Sequence, residues 1–123
     1  MRILVLGGTA WLGCEIVREA VRRGHEVTAL ARGTAGSVPD GAVFAPGDRD
    51  EVGAYDEVAA RDWDAVIDVA RQPGHVRGAL IALAERARQW VFVSTCSVYE
   101  PGPDLGTDES APLLRAYRGD LFT

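Results

Sequence analysis

Near its N-terminus the chain reads Arg2-Ile3-Leu4-Val5-Leu6-Gly7-Gly8-Thr9-Ala10-Trp11-Leu12-Gly13, and few folds accommodate that stretch. Ile3 to Leu6 is an unbroken apolar run, the pattern of a strand buried on both faces. It stops at a glycine pair. From Trp11 onward Ile16, Val17, Ala20 and Val21 recur three and four residues apart with charges between them, as in a helix with one apolar face. Strand, glycine turn and helix in direct succession open an α/β sheet of parallel strands.

In that setting a glycine-rich turn reads as a dinucleotide cradle. Gly7 permits the tight turn, Gly13 lets the helix lie close to the strand, and the helix N-terminus aims free N–H groups at a pyrophosphate. The spacing is Gly-x-x-Ala-x-x-Gly, which differs from the Gly-x-Gly-x-x-Gly of long-chain dehydrogenases. Gly7-Gly8-Thr9-Ala10-Trp11-Leu12-Gly13 resembles instead the Gly-Gly-Thr-Gly-Phe-Leu-Gly of extended and atypical short-chain dehydrogenases/reductases, the NAD(P)-dependent epimerase/dehydratase superfamily. The resemblance implies that Thr9, Ala10, Trp11 and Leu12 join Gly7 and Gly13 against the cofactor. Ala10 replaces the usual middle glycine, and its methyl shifts the pyrophosphate slightly. A glycine turn in an unrelated α/β protein is the competing reading.

With 123 residues the chain suffices for one domain with a core and is short for a whole dehydrogenase. A net charge of −5 without a basic stripe argues against nucleic acid as the main partner. Its apolar runs are too short to span a bilayer, and the N-terminus lacks a signal peptide's apolar region, so no membrane partner and a cytoplasmic location are expected. Cys14 and Cys96 read as free thiols without metal-ligand spacing. All 13 basic residues are Arg.

Farther along, the first helix ends near Arg22-Arg23 and Gly24, and His25 to Ala31 reads as a second strand. An acid at that strand's end would bind a ribose 2′-hydroxyl; here stand Ala31-Arg32-Gly33, and a guanidinium grips a 2′-phosphate. NADP(H) is therefore favoured over NAD(H), unless Arg32 is an ordinary solvated residue. Ala42 to Ala45 reads as a third strand ended by Pro46-Gly47. Asp48-Arg49 then resembles the family's adenine-side turn, and Asp48 reads equally well as a helix N-cap. Glu51 to Arg61 is expected to be helical, with Val52, Tyr55, Val58 and Ala59 inward despite Gly53.

Trp63 is expected to anchor a fourth strand, Asp64 to Val69. The resemblance places Val69, Ala70 and Arg71 beside the cofactor phosphates and ribose. A helix from His75 to Arg88 should turn Ala79, Leu80, Leu83, Ala84 and Ala87 inward, with His75 a surface residue. Gln89 to Ser94 reads as the fifth strand and runs into Thr95-Cys96-Ser97-Val98-Tyr99, which resembles the superfamily's Ser-Ser/Thr-x-x-Val-Tyr. By position Thr95 is the hydroxyl that bonds the substrate's reacting oxygen, and Ser94 lies next to the nicotinamide. Some dehydratases carry Asp and Glu at the positions of Cys96 and Ser97, so their acid–base chemistry is not expected here.

The family's proton-transfer base is Tyr-x-x-x-Lys, where the Lys cation brings the Tyr towards working pH. This chain has no Lys, and the residue four beyond Tyr117 is Leu121. Residues 1–99 are thus expected to form an incomplete Rossmann-type doubly wound parallel sheet, strand order 3-2-1-4-5. Residues 100–123 read as a Pro/Gly-rich loop and the truncated start of a catalytic region. The expected function is the cofactor portion of an epimerase- or reductase-like oxidoreductase acting on a sugar nucleotide or small carbonyl compound. Alternatives are a non-catalytic, NmrA-like NAD(P) sensor or an inactive fragment. An open fifth strand would favour homodimerisation.

Overall fold

The computed structural model describes residues 1–7, 11–32, 38–70 and 72–93. Five strands, β1 (Arg2–Leu6), β2 (Glu26–Ala31), β3 (Val43–Pro46), β4 (Ala65–Asp68) and β5 (Trp90–Phe92), form one sheet ordered β3-β2-β1-β4-β5. Every pairing is parallel. Helix α1 (Trp11–Arg22) connects β1 to β2, and α2 (Pro73–Leu83) connects β4 to β5. This is the doubly wound arrangement and strand order expected from the sequence.

Alternation along the strands builds two cores. Leu4 and Leu6 of β1 join Leu30 and Val66 on one face of the sheet, packed against Tyr55, Val58, Trp63, Ala79 and Leu83. Ile3 and Val5 join Val27, Ala29 and Ala65 on the other face, under Val17 and Ala20 of α1. A central strand covered on both sides is largely apolar, which is why β1 is apolar from Ile3 to Leu6 and β2 is buried from Val27 to Ala31, with Thr28 its one buried polar residue. Each fully buried aliphatic side chain contributes about 1.5–3 kcal/mol.

Helix α1 stops where its sequence says it should. The Gly24 N–H donates to the Val21 carbonyl at 2.9 Å and the His25 N–H to that of Ala20 at 3.2 Å. These are the paired bonds of a Schellman cap, with Gly24 at φ +86°.

The structure corrects three expectations. Residues 51–57 form turns, and only Val58–Ala60 make a short 3₁₀ segment, in place of a helix from Glu51 to Arg61. Gly53 sits at φ +83°, outside helical space, which leaves Val52 94% exposed while Tyr55 and Val58 are still buried. The next helix opens at Pro73, whose ring suits a first helical position, and yields after Leu83 to a 3₁₀ turn, Ala84–Arg86. Leu80 and Ala84 are consequently exposed, and Ala79 and Leu83 carry the packing face.

Trp63 is the anchor expected of it. It is buried, and its indole N–H donates to the Val58 carbonyl at 2.9 Å, tying the 3₁₀ segment to the entry of β4. Trp63→Phe should cost about 1–3 kcal/mol through the lost hydrogen bond and unfilled volume, read as a lower urea midpoint with unchanged far-ultraviolet dichroism.

Candidate dinucleotide site at the carboxyl edge of the sheet

Because all five strands run parallel, their carboxyl ends lie along one edge. Between β1 and β4 the chain's winding reverses, and the crevice outside those two strand ends is where such sheets receive ligands. The Gly7 N–H donates to the Leu30 carbonyl at 2.9 Å, and the Val69 N–H to that of Leu6 at 3.0 Å, so β2, β1 and the exit of β4 are tied together there. Gly7 adopts φ +94°, and a Cβ on it would sit 2.8 Å from the Val69 carbonyl oxygen. No side chain fits between the turn and that backbone.

Beyond the turn, α1 begins. Its first N–H groups have no acceptor within the helix, and its first turn contains no acidic residue. Trp11 is 80% exposed, Leu12 is at the surface and Gly13 is buried. The acids of α1 come later and are paired with cations: Glu15 with Arg18, and Glu19 with Arg22 at 2.5 Å and Arg23 at 2.9 Å. Bonds from Arg22 and Arg23 pull the Glu19 carboxyl down to about 2. The first turn of the helix thus carries no acid to repel an anionic diphosphate.

On the β2 side of the crevice, Arg32 is exposed directly after β2. The Gly47 N–H donates to the Ala31 carbonyl at 3.1 Å, which sets the Gly47-Asp48 turn alongside Arg32. One Asp48 carboxylate oxygen accepts the Asp50 N–H at 2.9 Å, and the Asp48 carbonyl accepts the Glu51 N–H at 2.9 Å. Asp48 therefore closes a local turn, though not the helix that the capping reading anticipated. Val69 and Ala70 are half-buried beyond β4. Thr9, Ala10, Arg71, Ser94 and Thr95 lie outside the described residues.

Arg49, expected against the cofactor, is engaged by the protein's own groups. Its side chain turns into the protein and is only 9% exposed. It makes a bidentate pair with Asp68, at 2.8 and 3.0 Å, and donates to the Tyr55 hydroxyl at 2.8 Å and the His75 carbonyl at 2.9 Å. Burial opposes the guanidinium's charge, but the bonds and charge of Asp68 outweigh it and hold its pKa above the ordinary value. Burial likewise raises the Tyr55 hydroxyl against the pull of Arg49, so that it remains a donor to the His75 carbonyl at 3.3 Å. The His75 ring is partly covered and meets Asp50 at 2.6 Å. The sign in the sequence that a buried cation lies opposite is the acid ending the apolar run Ala65-Val66-Ile67-Asp68, which the motif-based expectations pass over.

A separate open cavity of about 710 Å³ lies at the amino edge of the sheet, lined by residues including Met1, Arg2, Glu26, Asp62, Arg86 and Arg88. Its charges largely answer one another: Arg2 faces Glu26, Arg86 faces Asp62 and Arg88 faces Asp64. Among the described residues no cluster of His, Cys, Asp or Glu could hold a metal ion, and no helix is long and apolar enough to cross a membrane.

Solved structures share this fold. UDP-galactose 4-epimerase superposes with a TM-score of 0.79 at 22% identity, over 93% of this chain and 45% of its own. A UDP-glucose 4-epimerase from the hyperthermophilic eubacterium Thermotoga maritima, solved with UDP-glucose, gives 0.73 at 18% identity, over 94% and 45%. A dTDP-glucose 4,6-dehydratase from Bacillus anthracis in complex with NAD gives 0.74 at 19% identity, over 95% and 45%. The chain spans less than half the length of these proteins. No curated protein matches it significantly. The family model of the NAD dependent epimerase/dehydratase family matches residues 3–118, and the chain belongs to that family.

Proposed function

We propose that this chain is the cofactor-binding portion of an NAD(P)-dependent oxidoreductase or epimerase that acts on a sugar nucleotide or small carbonyl compound. The observation that carries this is the side-chain-free approach of Gly7 to Val69 beside an α1 N-terminus without acids. The nicotinamide cofactor, when bound, supplies the hydride acceptor or donor. The chain's own part is to hold the diphosphate on the α1 amides, with Thr9, Ala10, Trp11, Leu12 and Gly13 around it. Asp48 faces the adenine, and Val69, Ala70 and Arg71 line the ribose and phosphate side. Ser94 borders the nicotinamide, and the Thr95 hydroxyl hydrogen-bonds the substrate's reacting oxygen.

Cofactor choice falls to Arg32. Being exposed and beside the Gly47 turn, it suits a 2′-phosphate, which favours NADP(H). Fluorescence titration should show NADPH binding tighter than NADH, and Arg32→Asp should weaken NADPH about tenfold or more while changing NADH little. Tighter NADH binding by the parent would refute the role of Arg32.

With no Lys among its 123 residues, the chain does not itself contain a Tyr-x-x-x-Lys pair. A second reading is a non-catalytic NAD(P)-sensing protein. Finding the pair in sequence following Thr123 decides for the enzyme. The edge strand β5, with Val91 40% and Phe92 47% exposed, supports homodimerisation as part of the same proposal.

A further inference from the structure

The Arg49–Asp68 pair stands between two segments that the cofactor reading assigns to different parts of one ligand. Arg49 directly follows Asp48, in the turn that Gly47 fastens to the end of β2. Asp68 directly precedes Val69, whose carbonyl is the atom packed against Gly7. One planar guanidinium therefore joins β4, Tyr55 and the first turn of α2 to the adenosine-side turn. Asp50, the next residue, reaches α2 as well through His75 at 2.6 Å.

Stability alone does not call for such a pair, since buried ion pairs are often replaceable by apolar side chains of similar volume without loss. What an apolar contact lacks is direction. A bidentate fork fixes both a distance and a plane. We propose that Arg49 and Asp68 are positioning residues that set the spacing between the Gly47-Asp48 turn and the exit of β4, and thereby the affinity for the adenosine half of the dinucleotide. This rests on the cofactor reading above.

The test is Arg49→Met/Asp68→Leu, with Trp63→Phe as a destabilised control remote from the crevice. Two readouts are taken: NADPH affinity, and hydrogen exchange at the Asp50 and Glu51 amides, which Asp48 holds. The paired variant should fold, exchange faster at those two amides and bind NADPH about tenfold more weakly, while the control stays within about twofold of the parent. Should the apolar pair not fold, Arg49→Lys, which keeps the charge and loses the fork, should move both readouts the same way. Parent-like NADPH binding by the variant, an equal loss in the control, or parent-like exchange at Asp50 and Glu51 overturns the proposal. A parent that binds neither NADPH nor NADH overturns the cofactor reading instead, and the exchange result alone then decides the positioning role.

Discussion

Asp68→Leu, made alone, should destabilise the protein by about 3–5 kcal/mol, read as a lower urea midpoint. The carboxylate is fully buried and its partner Arg49 nearly so. Removing it leaves a guanidinium whose remaining acceptors, the Tyr55 hydroxyl and the His75 carbonyl, are neutral. Burial already opposes the Arg49 charge, and Asp68 is the main group that offsets this. The contrast is with α1, where Glu19 meets Arg22 and Arg23 at the surface. Its carboxyl is drawn down to about 2, yet Glu19→Ala should leave the unfolding midpoint almost unmoved, because water and salt screen an exposed pair. A loss of less than about 1 kcal/mol for Asp68→Leu would show that Arg49 finds water or another partner.

Gly7→Ala should cost about 2–4 kcal/mol and remove NADPH binding together. Two penalties add. A left-handed φ of +94° is unfavourable for any Cβ, and here the Cβ would meet the Val69 carbonyl oxygen at 2.8 Å. Relief requires the turn or the exit of β4 to move, and both border the crevice. Gly24 separates the two penalties, because its φ is +86° and nothing lies within 4 Å of where its methyl would sit. Gly24→Ala should therefore lose only the dihedral share, about 1–2 kcal/mol, and leave NADPH affinity unchanged. Equal losses at the two glycines, with affinity kept in both, would remove the close approach from the account.

The parts of this fold that were legible in the sequence are those whose signal is local. Ile3 to Leu6 has to be a two-sided strand because every position is apolar, and Gly24 ends α1 because its neighbours supply the cap. The segment after Asp48 misled for a local reason too. Val52, Tyr55, Val58 and Ala59 have helical spacing, but Gly53 turns the chain out of helical space and frees Val52 to solvent. Leu80 misled because α2 offers more apolar positions than its packing face can use, and Ala79 and Leu83 take the sheet.

The Arg49–Asp68 pair was not legible, since its members are 19 residues apart and meet only when β3 and β4 are placed on either side of the central strands. Arg49 alone read as part of a ligand site, and Asp68 drew no assignment. As a pair they join the Gly47-Asp48 turn to β4. The close approach at Gly7, by contrast, was legible, because a turn that admits no Cβ leaves its mark in the sequence as a missing side chain.

The most direct measurement is a crystal structure of the protein grown with NADPH. The diphosphate is expected within hydrogen-bonding distance of the first-turn amides of α1, above Gly7, with the Trp11 ring beside it and the 2′-phosphate near Arg32. A dinucleotide lodged in the charged cavity at the amino edge, or a crevice above Gly7 that stays empty at saturating NADPH, would contradict it.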